Sequence, residues 1–131
     1  MNNEELIHLA IEARKNAMTP TNYYVGAALL TDTGKIYTGC NIGTEDGLFD
    51  YCAEHIAVVK MLSEGEREIK KIAIVGGPGE NMILTTPCGI CRQFLLEFGS
   101  NAEVICAYYQ NGELQQKSYF VKDLLPYGYV M

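Results

Sequence analysis

The sequence predicts an α/β domain in which a mixed sheet of five strands is covered by helices on both faces. Three observations carry this expectation. Segments with the apolar spacing of helices alternate along the chain with segments patterned as strands. One of the latter, Ile72-Ala73-Ile74-Val75, is a near-continuous apolar run, as befits the centre of a sheet. Finally, Asn111-Gly112 separates two strand-like stretches and is a strong hairpin signal.

Taken in order, Asn3 to Ala17 place Leu6, Leu9, Ala10, Ala13 and Ala17 at three- and four-residue steps, an amphipathic helix. Thr19-Pro20 stops it, because proline lacks an amide hydrogen and disfavours helix in the residue before it. Strands over Val25–Thr31 and Lys35–Ile42, joined at Asp32-Thr33-Gly34, form a hairpin. Gly43 to Asp50 shows neither period and reads as a loop. A helix over Cys52–Glu64 ends at Gly65, and a strand follows over Ile69–Gly76. After a short extended piece at Met82–Leu84, a helix runs from Cys88 to about Phe98, closed by Gly99. Strands over Glu103–Tyr109 and Glu113–Phe120 flank the Asn-Gly turn, and Val121–Leu125 is a brief helix before Pro126.

Residues 1–131, with 48% hydrophobic content, fit a single domain that buries roughly two-thirds of its unfolded surface. Sixteen acidic residues against ten basic give a net charge of -6, which repels a polyanion, so no nucleic-acid partner is expected. No apolar stretch reaches membrane-spanning length, and Glu4 and Glu5 stand where a signal peptide would carry cations. A cytoplasmic location without a membrane partner is expected. Five cysteines, an odd number without the spacing of a disulfide framework, suggest a metal site plus two core thiols, Cys40 and Cys106.

The chemistry is concentrated in Cys52-Ala53-Glu54 and Pro87-Cys88-Gly89-Ile90-Cys91, each opening a helix. Together they offer three thiolates and one spare carboxylate for a single zinc. Three protein ligands leave a tetrahedral position open, which is the arrangement of catalytic rather than structural sites. The positive ends of the two helices lower thiol pKa and spread the sulfur charge. Cys88-x-x-Cys91 alone would read as a redox pair or half a structural site; the paired Cys-Ala-Glu argues against both.

These motifs, with Arg92 and Gln93 after the second, resemble the zinc-dependent cytidine deaminases of the small all-cysteine type, which include the blasticidin S deaminases. Tyr23-Tyr24-Val25-Gly26-Ala27-Ala28, Gly39-Cys40-Asn41 and Leu124-Leu125-Pro126 extend the resemblance over nearly the whole chain. It implies a three-layer α/β/α fold, Cys52, Cys88 and Cys91 as zinc ligands and Glu54 as proton shuttle. Tyr23 is implied beside the base, Asn41 at the ribose, and a homotetramer in which Tyr129 and Tyr127 form a tail over a neighbour's pocket. Arg92 and His55 are expected to tune the zinc site from behind the ligands. His55 stands where the family usually has arginine, so one fixed charge is in question.

A second departure concerns the substrate. Two residues after Asn41 the family's cytidine enzymes carry a sugar-binding glutamate, and this chain has Gly43. Glu45 or Asp46 is a candidate replacement from the same loop. The reading is therefore hydrolytic deamination of a free cytosine nucleoside in pyrimidine salvage. Its alternatives are a deaminase of blasticidin S or another modified cytosine nucleoside, an enzyme editing cytosine within a nucleic acid, and a non-catalytic nucleoside-binding protein that keeps the zinc.

Overall fold

Asn2 starts the first helix by accepting the Glu5 amide on its side-chain oxygen at 2.9 Å, which satisfies one of the amides a helix start leaves free. In the computed structural model, which describes residues 1–130, helix α1 spans Asn3–Arg14. The expected single domain over 1–131 thus includes Met131, which lies outside the described residues. α1 ends three residues short of Ala17. Lys15, Asn16 and Ala17 instead bond to carbonyls three residues back, and the Met18 amide is drawn away to Asn41.

The main sheet is mixed and five-stranded, in the order β2-β1-β5-β6-β7. Its strands are β1 (Tyr23–Thr31), β2 (Ile36–Cys40), β5 (Ile69–Pro78), β6 (Glu103–Gln110) and β7 (Glu113–Phe120). Only β5 and β6 pair in parallel, with Ile72 opposite Val104 and Ile74 opposite Cys106; the other pairs are antiparallel. β5 is the central strand its apolar run predicts, and residues Ile72 to Val75 are fully buried.

Alternation along these strands builds two cores. On one face, Leu6, Ile7 and Ala10 of α1 pack with Ala28, Ala73, Val75, Ile105 and Ala107. On the other, helices α2 (Ala53–Ser63) and α3 (Gly89–Phe98) cover Leu29, Ile72, Ile74 and Val104. α4 (Val121–Leu124) adds Val121 to that face. The three-layer α/β/α expectation therefore holds.

The stretch expected to be a loop over Gly43–Asp50 is a small hairpin. The chain leaves β2 at Asn41, and β3 (Ile42–Gly43) pairs with β4 (Asp50–Tyr51), Gly43 opposite Asp50. Asp46 orders its turn, accepting the Thr44 hydroxyl at 2.6 Å and the Leu48 amide at 3.1 Å. Sequence periodicity cannot register two-residue strands. The hairpin delivers the chain to Cys52.

Candidate active site

Two glycines let the helices lie against the sheet. A Cβ on Gly39 would stand 2.5 Å from the Ala53 carbonyl oxygen and 2.8 Å from the Ala57 amide. Helix α2 is thus seated backbone to backbone on β2, and Ala53, between Cys52 and Glu54, is fully buried. Cys52 is the N-cap of α2 and Cys88 that of α3; both are extended, and neither thiol caps its helix. The thiols are therefore free to face each other across the gap between the two helix starts.

Cys52, Cys88 and Cys91 bring their sulfurs within 4.8 Å of one another, and the Cys52–Cys88 separation is 3.9 Å. A tetrahedral zinc with sulfur ligands at about 2.3 Å holds them roughly 3.8 Å apart, so the donor set fits that ion. Cys91 is buried, whereas Cys52 and Cys88 are exposed, which leaves one side of the cluster open. The three thiols share charge among themselves. The Cys52 thiol is lowered to about 6, chiefly by the hydrogen bond from Cys91 and then by that from Cys88, against burial and the Asp50 charge. Cys91, as the donor, is pushed up by that bond to Cys52, by burial and by the surrounding negative charges. A cation among the sulfurs favours all three thiolates.

Glu54 lies in the first turn of α2 and is 5% exposed. Burial raises its carboxyl to about 7, the Cys52 thiolate adding to the shift. Such a carboxyl exchanges a proton near neutrality, as a general acid–base group must. Both motifs of the sequence thus converge on one site.

The other expected site residues are placed as follows. Tyr23 is half-buried at the start of β1, and its hydroxyl meets Thr85 Oγ1 at 2.8 Å. Since Thr85 gives its own proton to the Ile83 carbonyl at 3.1 Å, the Tyr23 hydroxyl is the donor and keeps its lone pairs free. Asn41 accepts the Val25 amide and donates to the Tyr23 carbonyl, both at 2.8 Å, so its amide extends β1 backbone bonding where β2 ends. One hydrogen and one lone pair remain for a ligand. Tyr129 lies exposed in the C-terminal tail, its carbonyl held by Gln93 at 2.9 Å.

Arg92 does not reach a thiol through the bonds it makes. It donates to the Pro87 carbonyl at 2.7 Å, the Leu124 carbonyl at 2.9 Å and Thr86 Oγ1 at 3.2 Å, bracing the strand of chain that leads into Cys88. His55 takes part in an aromatic row, 5.6 Å from Tyr51 and 5.1 Å from Phe94 between ring centres. Among the described residues neither makes a hydrogen bond to a sulfur, and two of the three thiols stand at helix starts. Of the remaining thiols, Cys106 is fully buried in the core and pushed up to about 12 by burial, whereas Cys40, also raised by burial, is only partly buried and belongs to neither core. Sequence reasoning missed Thr85 and the packing role of Gly39. Gly39 carried a usable signal, a glycine inside a strand-like run, which marks close backbone approach.

Fold and site together define a metal-dependent hydrolase with an acid–base carboxyl beside an open three-thiol centre. Comparison with known proteins agrees. Residues 1–108 match the family described as the cytidine and deoxycytidylate deaminase zinc-binding region. A cytidine deaminase of Sporosarcina psychrophila is 36% identical over 130 residues, covering 96% of this chain and 90% of that protein. A blasticidin-S deaminase of Bacillus cereus is 28% identical over 130 residues, covering 95% and 90%. The crystal structure of cytidine deaminase from Burkholderia pseudomallei superposes with a TM-score of 0.84 at 34% identity, covering 98% of this chain and all of the other. The chain belongs to the cytidine and deoxycytidylate deaminase family, whose cofactor is zinc.

Proposed function

We propose that this protein deaminates a free cytosine nucleoside, cytidine or deoxycytidine, to the uracil nucleoside and ammonia. The observation that carries the reading is Glu54, a buried carboxyl that titrates near neutrality and is not needed to complete the thiol cluster. Cys52, Cys88 and Cys91 are the zinc ligands. When bound, zinc supplies a Lewis acid that makes a water nucleophilic at neutral pH. Glu54 accepts the proton as water adds to C4 of the ring and delivers it to N3, then takes the proton of the new C4 hydroxyl and gives it to the departing amine as the C4 carbonyl forms. The half-buried Tyr23 offers its ring face and its free phenolic lone pairs to the base.

A non-catalytic binding protein would have no use for Glu54 in this environment, and the acidic surface of the chain disfavours a nucleic-acid substrate. A modified nucleoside such as blasticidin S is the second reading, favoured by Gly43, by the ending Leu124–Val130 and by the likeness to a blasticidin-S deaminase. Among the described residues no helix is long and apolar enough to cross a membrane, which fits the cytoplasmic salvage role we assign. Several apolar side chains are exposed, among them Leu48 at 75%, Tyr129 at 68% and, between two of the thiols in sequence, Ile90 at 77%. Such exposure suits assembly, and a homotetramer is the oligomer we assign; a monomer in sedimentation at enzyme-assay concentrations would exclude it.

The test is ammonia release by zinc-loaded protein from cytidine, deoxycytidine, cytosine and blasticidin S. Glu54→Gln is expected to keep its zinc and lose about 10²–10⁴-fold in turnover, and Cys88→Ala to lose the metal. Undiminished activity in the glutamine variant would sink the mechanism. Turnover of blasticidin S with none of cytidine would transfer the assignment to the second reading.

A further inference from the structure

The loss of a carboxylate at position 43 is answered from the facing strand. A cavity of about 240 Å³ opens beside the hairpin of β3 and β4, between it and the Thr19-Pro20-Thr21 segment. Gly43 forms its floor. A Cβ there would stand 3.4 Å from Asp50 Oδ1 and 3.3 Å from Thr19 Oγ1, so any side chain at 43 would project into the space these groups now share. The backbone does not require glycine, since Gly43 is not in the left-handed conformation. What glycine provides is room, and Asp50, directly across the β3–β4 pair, turns its carboxylate into that room.

Of the two candidates that sequence offered, Glu45 also lines this cavity, and Asp46 is already engaged. Asp46 already accepts the Thr44 hydroxyl and the Leu48 amide that hold the turn. Among the described residues Asp50 makes no such bond, and it precedes Cys52 by two residues, within about 7 Å of extended chain. In a cytosine nucleoside the sugar is carried on N1, across the ring from C4. With C4 at the thiol cluster, the sugar is carried on the side of the ring away from it. The cavity wall suits a polyol: hydroxyls of Thr19, Thr21 and Thr44, carboxylates, and no lysine, arginine or histidine.

We propose that Asp50 is the sugar-hydroxyl acceptor of this enzyme, in a subsite left open by Gly43, and that this subsite takes uncharged nucleosides and rejects their phosphates. The proposal rests on the deaminase reading for the place of the base. It makes Asp50 a specificity-determining residue, its carboxylate accepting a hydroxyl hydrogen and repelling a nearby phosphate through a Debye length of about 10 Å at 0.1 M salt.

Calorimetric binding to the zinc-loaded Glu54→Gln protein, which is expected to hold substrate without consuming it, separates the two ideas. Adding Asp50→Asn should weaken cytidine about tenfold or more, the scale of a hydrogen bond to a charged group, and leave free cytosine unchanged. Moving the acid back, with Gly43→Glu added to Asp50→Gly, should recover affinity lost in Asp50→Gly alone. Cytidine 5′-monophosphate should bind at least tenfold more weakly than cytidine at low salt, with the gap narrowing in Asp50→Asn. Unchanged cytidine affinity in Asp50→Asn, or an equal loss for cytosine, overturns the assignment. Intact cytidine binding by a parent protein that releases no ammonia would instead defeat the deaminase reading and leave Asp50 in place.

Discussion

The two helix starts that carry the thiols are built in opposite ways. That of α2 is secured by packing: Ala53 and Ala57 are fully buried against Gly39, and Glu54 is sealed in behind Cys52. That of α3 stands in the open: Ile90 is 77% exposed, and a Cβ on Gly89 would meet nothing within 4 Å. It is secured by polar ties instead, through Arg92 to Pro87, Thr86 and Leu124. The difference follows from what each start must do. A carboxyl whose proton is to move near neutrality has to be kept dry, whereas metal-binding thiols need only be held in place.

The largest break in this comparison is expected at Gly39. Gly39→Ala drives a methyl into the helix backbone at 2.5 Å, and neither the carbonyl nor the strand can turn aside. Overpacking of this kind costs about 3 kcal/mol, to be read by urea denaturation, and shifting α2 should lower activity further than the stability loss explains. Gly26→Ala is the control, since its Cβ would meet the Ala10 carbonyl of α1 at 2.1 Å on the opposite face. It should destabilise comparably yet leave zinc affinity near the parent value. Equal loss of zinc in both variants would mean that the two faces are not independent.

Arg92→Ala probes the polar start and comes next in size. Three hydrogen bonds from one guanidinium are lost, and zinc affinity should fall by about tenfold to a hundredfold, as when a metal ligand loses its outer support. Competition with a chelator reads this directly. Arg92→Lys should rescue little, because one ammonium cannot span three acceptors set by a planar fork. Wild-type zinc affinity in Arg92→Ala would show that α3 holds its thiols by itself.

The comparison also explains how much could be read from the sequence. The apolar run at Ile72–Val75, the Asn111-Gly112 hairpin and the two cysteine motifs are local signals, and each found its place. What could not be read depends on pairing. Gly39 and Ala53 lie in separate elements, and their contact exists only once α2 crosses β2. Asp50 becomes the neighbour of Gly43 only through the β3–β4 register, and two-residue strands leave no periodicity to detect. Arg92 follows the last cysteine in the chain, which suggested the sulfurs as its partners. Its long side chain reaches back over the helix start instead, to the carbonyls of Pro87 and Leu124, for which the described residues offer no other donor outside the helices and strands.

The smallest effect, and the sharpest contrast with Gly39, is at Gly89. This residue opens α3 outside the left-handed region with open space around its Cβ position, so alanine adopts the same conformation without strain. Replacing glycine at such a site removes freedom from the unfolded chain and should stabilise the protein by about 0.4–1 kcal/mol. Gly89→Ala therefore raises stability where Gly39→Ala lowers it, although both add one methyl beside a zinc-binding motif. A denaturation midpoint shifted upward in the first and downward in the second, at matched zinc loading, is the expected result. Destabilisation in Gly89→Ala would mean that the exposed start of α3 is covered, as by a neighbouring subunit, and a dilution series would then separate that cover from strain within the helix.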